Sequence, residues 1–146
     1  MRWQHNNLSV TDEAEAVDID TVYDFLRDAY WSKNIPKARL LNSLHSSMCF
    51  SVFLEDKQVA FARVISDFAT IAYLGDVFVL EEHRGKGISK FLMQCIIEHP
   101  ELQGLRRWIL ATSDAHTLYQ KYGFTSLARS EIFMERHDPN VYSQEQ

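Results

Sequence analysis

Between Tyr73 and Cys95 the chain changes its hydrophobic period once, across a short basic loop with two glycines. The first part, YLGDVFVL, is nearly continuous apolar, interrupted only by Gly75 and Asp76. Such a run suits a central strand covered on both faces. Glu81 to Gly87 then brings charge and glycine. From Ile88 onward the apolar residues fall at Ile88, Phe91, Leu92, Cys95 and Ile96. That i, i+3, i+4, i+7, i+8 spacing defines one buried helical face. The spacing predicts a strand over 70–79 and a helix over 85–99, stopped by Pro100.

A strand that runs through glycines into a helix makes a place for an anion. The first backbone N–H groups of a helix have no partner inside it and stand at the positive end of its dipole. Gly85 and Gly87 allow close backbone approach, while Arg84, Lys86 and Lys90 add positive charge. A phosphate or pyrophosphate suits such a junction. Taken alone, the two glycines equally make a tight turn. Neither GxxxxGK followed by Ser or Thr nor a full GxGxxG is present, so the phosphate loops of ATPases and of dinucleotide-binding folds are not indicated.

HRGKGISKFLM resembles the acetyl-coenzyme A loop of the GNAT superfamily of N-acetyltransferases, whose pattern is Gln/Arg-x-x-Gly-x-Gly/Ala. Gly85 and Gly87 fill the two small positions, and Glu82 stands where the pattern has Gln or Arg. Downstream, Ala115 to Phe124 (AHTLYQKYGF) is similar to the family's AxxLYxxxGF segment. The resemblance covers most of the chain, roughly residues 20 to 135.

Composition agrees with one soluble domain. The 146 residues are 46% hydrophobic and 24% charged, with a net charge of −5. That balance disfavours a nucleic-acid binder relying on overall charge. Cys49 and Cys95 sit in apolar patterns and read as buried free thiols. No apolar run reaches the length of a membrane span, the histidines show no metal-ligand spacing, and residues 1–16 lack a signal-peptide core. A cytoplasmic location is the default reading, with no metal, membrane or nucleic-acid partner.

The remaining segments predict an edge strand around 8–11 and a helix capped by Asp20 with Val22, Phe25 and Leu26 inward. A helix opened by Pro36 follows, and then a hairpin of 48–54 with 59–65 turning at 55–58. After a short strand at 107–111 comes a helix at 115–122, capped by Asp114 and ended by Gly123. Strands at 124–127 and 131–136 would finish the sheet. The expected architecture is α+β: a GNAT-like, mixed, mostly antiparallel central sheet flanked by about four helices. It forms a single domain over 1–137 with a polar tail at 138–146.

What the resemblance implies is direct transfer of an acetyl group from acetyl-coenzyme A, as co-substrate, to a primary amine through a tetrahedral intermediate. The amine has to be neutral to attack, the carbonyl oxygen needs a fixed donor, and the departing thiolate benefits from a proton. By family position, a splayed central strand at Val77, Phe78 and Val79 would offer backbone groups to the pantetheine arm and the oxyanion. Arg84, Gly85, Lys86, Gly87, Ile88 and Ser89 would receive the pyrophosphate. Tyr119 would be the general acid, its competitor being Tyr122; a packed aromatic with a bonded hydroxyl is the plain alternative. Asp76 is a candidate base or the partner of Arg63, since a carboxylate inside a strand is costly unless paired. Tyr73, Asp67, Asp114 and His116 are further candidates for that role, and Thr112 stands where relatives commonly carry Asn. Tyr30 and Trp31 would wall the acceptor site or pack against the sheet. A small-molecule amine is the favoured acceptor, and a homodimer is compatible with the resemblance. The alternative class is a non-catalytic acyl-coenzyme A sensor or interaction module on the same fold.

Overall fold

The computed structural model describes residues 1–144, arranged as six strands in sequence order with helices on both faces. The strands β1 (Arg2–His5), β2 (Leu8–Thr11), β3 (Met48–Leu54), β4 (Lys57–Ser66) and β5 (Ile71–Val79) pair antiparallel, and β6 (Arg107–Leu110) is parallel to β5. The parallel step requires a crossover, supplied by helix α3 (Ile88–Glu98). Helices α1 (Ile19–Leu26) and α2 (Lys37–His45) cover the opposite face; α4 (His116–Gln120) and α5 (Val141–Gln144) follow β6. The expected α+β, mostly antiparallel architecture is the one observed, with a fifth short helix added.

Alternation along the strands sorts the core into two layers. Phe50, Val52, Ala60, Ala62, Val64, Ala72 and Leu74 pack with Leu92, Met93 and Ile96 of α3. Cys49, Phe61 and Phe78 pack with Val22 and Leu26 of α1 and Leu40 and Leu44 of α2.

Strand β5 switches phase partway along. Against β4, Arg63 is opposite Gly75 and Phe61 is opposite Phe78, so three steps on β5 answer two on β4. The extra residue is a β-bulge, and Asp76 in it takes φ 53°. Before the bulge, Ala72 and Leu74 face α3; after it, Val77 and Val79 do, and Phe78 turns to α1. One inserted residue has exchanged the two faces. Aspartate is among the few residues with a side chain that enter the left-handed region, and Asp76 does so at the extra residue of the bulge.

Several boundaries differ from the sequence reading. The edge strand is β1, outside β2; it was missed because RWQH has little apolar alternation and forms by closing a hairpin at Asn6, φ 54°. Asp18, not Asp20, caps α1, its carboxylate accepting from the Thr21 amide. Pro36 precedes α2 in an extended conformation. The β3–β4 turn is shorter than expected, with Glu55 at φ 57° and Leu54 paired to Lys57. The largest correction concerns 124–127 and 131–136, which form no strand; Ser130–Ile132 is a 3-10 turn and Met134 is 96% exposed. Alternating apolar residues there lack a paired neighbour, and Phe133 instead lies over the Arg107 guanidinium, 4.9 Å from its ring centre. The tail carries α5, and Tyr142 packs beside the α1 layer. Residues 145 and 146 of the expected tail lie outside the described residues.

Candidate active site at the parting of two strands

β5 and β6 pair only from Ile71 opposite Arg107 to Leu74 opposite Leu110. Beyond Leu74, β5 continues through Gly75, Asp76, Val77, Phe78 and Val79 with β4 as its paired neighbour. Backbone groups of Val77 to Val79 on the β6 side therefore lie beyond the ladder, past the end of β6 at Leu110. Phe78 anchors this end of β5 to α1: its ring stacks on Phe25 with centroids 4.0 Å apart and planes 8° from parallel.

The strand end leads through a 3-10 turn (Glu81–His83) to the basic loop and α3. Gly85 and Gly87 adopt φ 79° and 78°, and a Cβ on either would meet nothing within 4 Å. The glycines are there for backbone conformation, and the space above them is open. The first helical bond runs from the Phe91 amide to the Gly87 carbonyl, so the Ile88, Ser89 and Lys90 amides form the unpaired first turn. Arg84 Nε donates to the Val79 carbonyl at 3.0 Å, tying loop to strand. A cavity of about 220 Å³ lies here, lined by Val79, His83, Arg84, Gly85, Gly87, Ile88, Ser89 and Lys90. His83 Nδ1 is buried there without a protein partner. Open amides, glycines without packing duty and Arg84 and Lys90 at the rim suit a pyrophosphate. Glu82, at the departure from the family pattern, faces Lys57 at 3.7 Å. A broader hollow of about 460 Å³ near Asp12, His45, Ser66 and Glu101 lies away from this junction and has no comparable loop.

Tyr119 is 8% exposed and packs edge-on to Phe124, with ring centres 5.9 Å apart. Burial first, and the Asp114 carboxylate second, push its phenol above the ordinary value of 10. Tyr122 is committed elsewhere: its hydroxyl donates to the Lys90 carbonyl and joins the turn after α4 to α3. Thr112 accepts from the Ala115 amide at 3.1 Å and serves the start of α4.

Asp76 is paired on both oxygens. Arg63 Nε donates to Oδ2 and Trp31 Nε1 donates to Oδ1, each at 2.8 Å. Asp67 is spent on the turn before β5, accepting from the amides of Ala69, Thr70 and Ile71 and from the Thr70 hydroxyl. Tyr30 and Trp31 stand edge to face, 67% and 43% exposed, in the connection between α1 and α2. The structure thus brings Trp31 to Asp76, and Tyr30 to Ser113 through a 2.9 Å hydroxyl bond. Ser113 and Ser47, which holds Arg63, were not singled out in the sequence, because single serines in loops carry no pattern. Among the described residues no cluster of three or more His, Cys, Asp or Glu is placed to hold a metal ion.

Comparison with known proteins agrees with this geometry. The acetyltransferase (GNAT) domain family matches residues 45–126. A Xanthomonas campestris structure described as an acetyltransferase of the GNAT family is 50% identical, with 96% of this chain and 99% of that chain covered and a TM-score of 0.92. A Clostridium acetobutylicum structure described as an acetyltransferase with acetyl-coenzyme A shares the fold at 15% identity, covering 90% and 95% of the two chains with a TM-score of 0.64. A Gibberella zeae protein named as an acetyltransferase is 29% identical over 142 residues, 82% of this chain and 79% of its own length. A family match over more than half the chain, joined to the parted strands and the glycine loop, places it: the chain belongs to the GNAT family of acetyltransferases.

Proposed function

We propose that the protein is an N-acetyltransferase that moves an acetyl group from acetyl-coenzyme A directly to the primary amine of a small molecule. One observation carries the reading. β5 separates from β6 after Leu74, and its free end runs into the glycine loop and the first turn of α3. A long, bent, anionic thioester fits that path, with its pyrophosphate over the Arg84, Gly85, Lys86, Gly87, Ile88 and Ser89 segment.

Acetyl-coenzyme A supplies the activated thioester carbonyl. A backbone N–H among Val77, Phe78 and Val79 serves as the donor that stabilises negative charge on the carbonyl oxygen. The phenol of Tyr119, kept protonated by burial, delivers a proton to the departing sulfur and recovers it from water. The attacking amine gives up its proton to solvent. Tyr30 and Trp31 wall the acceptor side. No covalent bond to the enzyme is required.

Calorimetric titration with acetyl-coenzyme A, followed by thiol release across a panel of primary amines, tests the proposal. Saturable binding with coenzyme release for one amine class is the expected result. Binding without release for any amine would point to a sensor. Absence of binding would overturn the assignment of the loop.

A further inference from the structure

Beyond Leu74 and Leu110 the two parallel strands part, and two adjacent aromatic residues reach one to each of them. Trp31 donates to Asp76 on β5, and Tyr30 bonds to Ser113 in the chain leaving β6. The connection between α1 and α2 thus bridges the opening on the side facing away from α3. The two ties differ in character. The Tyr30–Ser113 bond is exposed and joins two neutral hydroxyls. The Trp31–Asp76 bond ends in a largely buried ion pair.

That ion pair belongs to a longer chain of bonds. Arg63 donates from Nε to Asp76 and from Nη1 to the Ser47 hydroxyl, at 2.8 and 3.0 Å. Ser47 donates in turn to the Ser43 carbonyl in α2, at 2.6 Å. The path therefore leaves the C-terminal part of α2, crosses β4 and the bulge of β5, and returns to Trp31, just before α2 begins. Asp76 is its only carboxylate, and it sits there at φ 53° rather than being replaced by glycine. Glycine does stand next to it: a Cβ on Gly75 would come within 3.1 Å of the Tyr73 ring. Asp76 thus carries a side chain at a backbone position that glycine would also accept, and that side chain takes both hydrogen bonds.

We propose that Asp76 is a positioning residue: held by Arg63, its carboxylate fixes the Trp31 indole as a rigid wall of the acceptor opening between β5 and β6. It acts through Trp31 and does not take the amine's proton. Tyr30 is the movable half of the same bridge. This inference rests on the acetyltransferase reading above, since it assigns the acceptor to that opening.

The test compares wild type with W31F, D76N, D76G and the W31F/D76N double variant. W31F keeps a ring but removes the indole donor. D76G suits the left-handed backbone yet removes both hydrogen bonds, so it separates the bulge from the carboxylate. Acetyl-coenzyme A affinity is measured by calorimetry, and thiol release is followed with 2-phenylethylamine, spermidine and L-lysine. The expected result is coenzyme affinity unchanged within about twofold, with KM for the amine raised about tenfold in each single variant. The double variant should be no worse than either single one, and the pH profile should keep its shape. A D76N variant that loses more than about a hundredfold in kcat together with one limb of the pH profile, while W31F stays normal, would make Asp76 the base and overturn the proposal. So would a D76G variant that behaves as wild type. If none of the three amines is turned over, solvent exchange of the Trp31 indole N–H decides, read by nitrogen-15 NMR and assigned with W31F. Exchange should be at least about tenfold faster in D76G, which has no side-chain acceptor, than in wild type, and equal exchange overturns the proposal. Wild-type protein that fails to bind acetyl-coenzyme A refutes the acetyltransferase reading instead, a different outcome from any of these.

Discussion

The phenol of Tyr122 donates a 3.0 Å hydrogen bond to the carbonyl of Lys90, so one tyrosine of the LYQKYGF segment braces the turn after α4 against α3. Tyr119, one helical turn earlier, is buried, and its phenol is pushed above 10. The two tyrosines should therefore fail differently. Tyr122→Phe should cost about 1 kcal/mol in denaturant unfolding while turnover stays near wild type. Tyr119→Phe should lower kcat by about a hundredfold with coenzyme affinity preserved. With the phenol raised by burial, its deprotonation moves to higher pH, so a loss of activity near neutral pH should not come from Tyr119. An unaltered rate in Tyr119→Phe would remove it from the mechanism.

Gly87 takes φ 78° above open space. Gly87→Glu puts a side chain on a left-handed backbone position and sets a carboxylate where phosphate charge is expected. Acetyl-coenzyme A binding should weaken by roughly a hundredfold or more, about 2.7 kcal/mol. Gly87→Asn, which tolerates a left-handed backbone, should retain measurable binding. Calorimetry on both variants separates charge conflict from strain.

Burial pushes the Cys49 thiol up to about 11 and the Cys95 thiol up to about 12. Thiolate, the form that alkylates, is scarce on both at neutral pH. Iodoacetamide should leave the folded protein unmodified at pH 7.5 and label both cysteines after denaturation, as read by mass spectrometry. Thiol reagents should likewise leave turnover intact, consistent with transfer that uses no cysteine nucleophile.

Phe78 is buried and stacked on Phe25 across the α1–β5 contact. Phe78→Ala should destabilise by about 3–5 kcal/mol, the usual cost of deleting a core phenylalanine. Phe25→Ala, at a partly buried partner, should cost less. Urea unfolding of the two variants and the double variant measures the coupling.

Asp12 meets His99 Nε2 and the amino-terminal ammonium, each at 2.7 Å. Burial by itself would raise its carboxyl; the ammonium and His99 outweigh that and hold it below the ordinary 3.8. A depressed carboxyl stabilises the fold above pH 3.8 and loses that contribution as pH falls through its lower folded value. Asp12→Asn should be less stable than wild type at pH 7, and the gap should narrow as pH falls below 3.8 and close below the lowered folded value. Thermal unfolding across pH 2–7 checks the sign.

The β5–loop–α3 unit was readable because the apolar period changes once and cleanly, from a run to helical spacing at Ile88. The pairing of Asp76 was readable only in kind. A carboxylate inside a strand needs a partner, and Arg63 was the nearby candidate; Trp31, 45 residues away, leaves no trace in local pattern. Ile132 and Met134 misled for the converse reason. Alternation says what a strand would bury, whereas a strand also needs an edge to pair with, and these side chains stay exposed. The capping of α1 shifted by two residues because Asp18 and Asp20 are chemically equivalent in sequence, and only backbone geometry separates them.

The bulge at Asp76 also sets how this chain can change. Removing residue 76 would erase the bulge and leave plain alternation, with Leu74 and Val77 still on the α3 face and Phe78 still in the α1 layer. Removing a residue from the regular part of β5 with the bulge kept would instead exchange the faces beyond it. The bulge is therefore a place where this strand can lose one residue and keep its packing, at the cost of the carboxylate that holds Arg63 and Trp31.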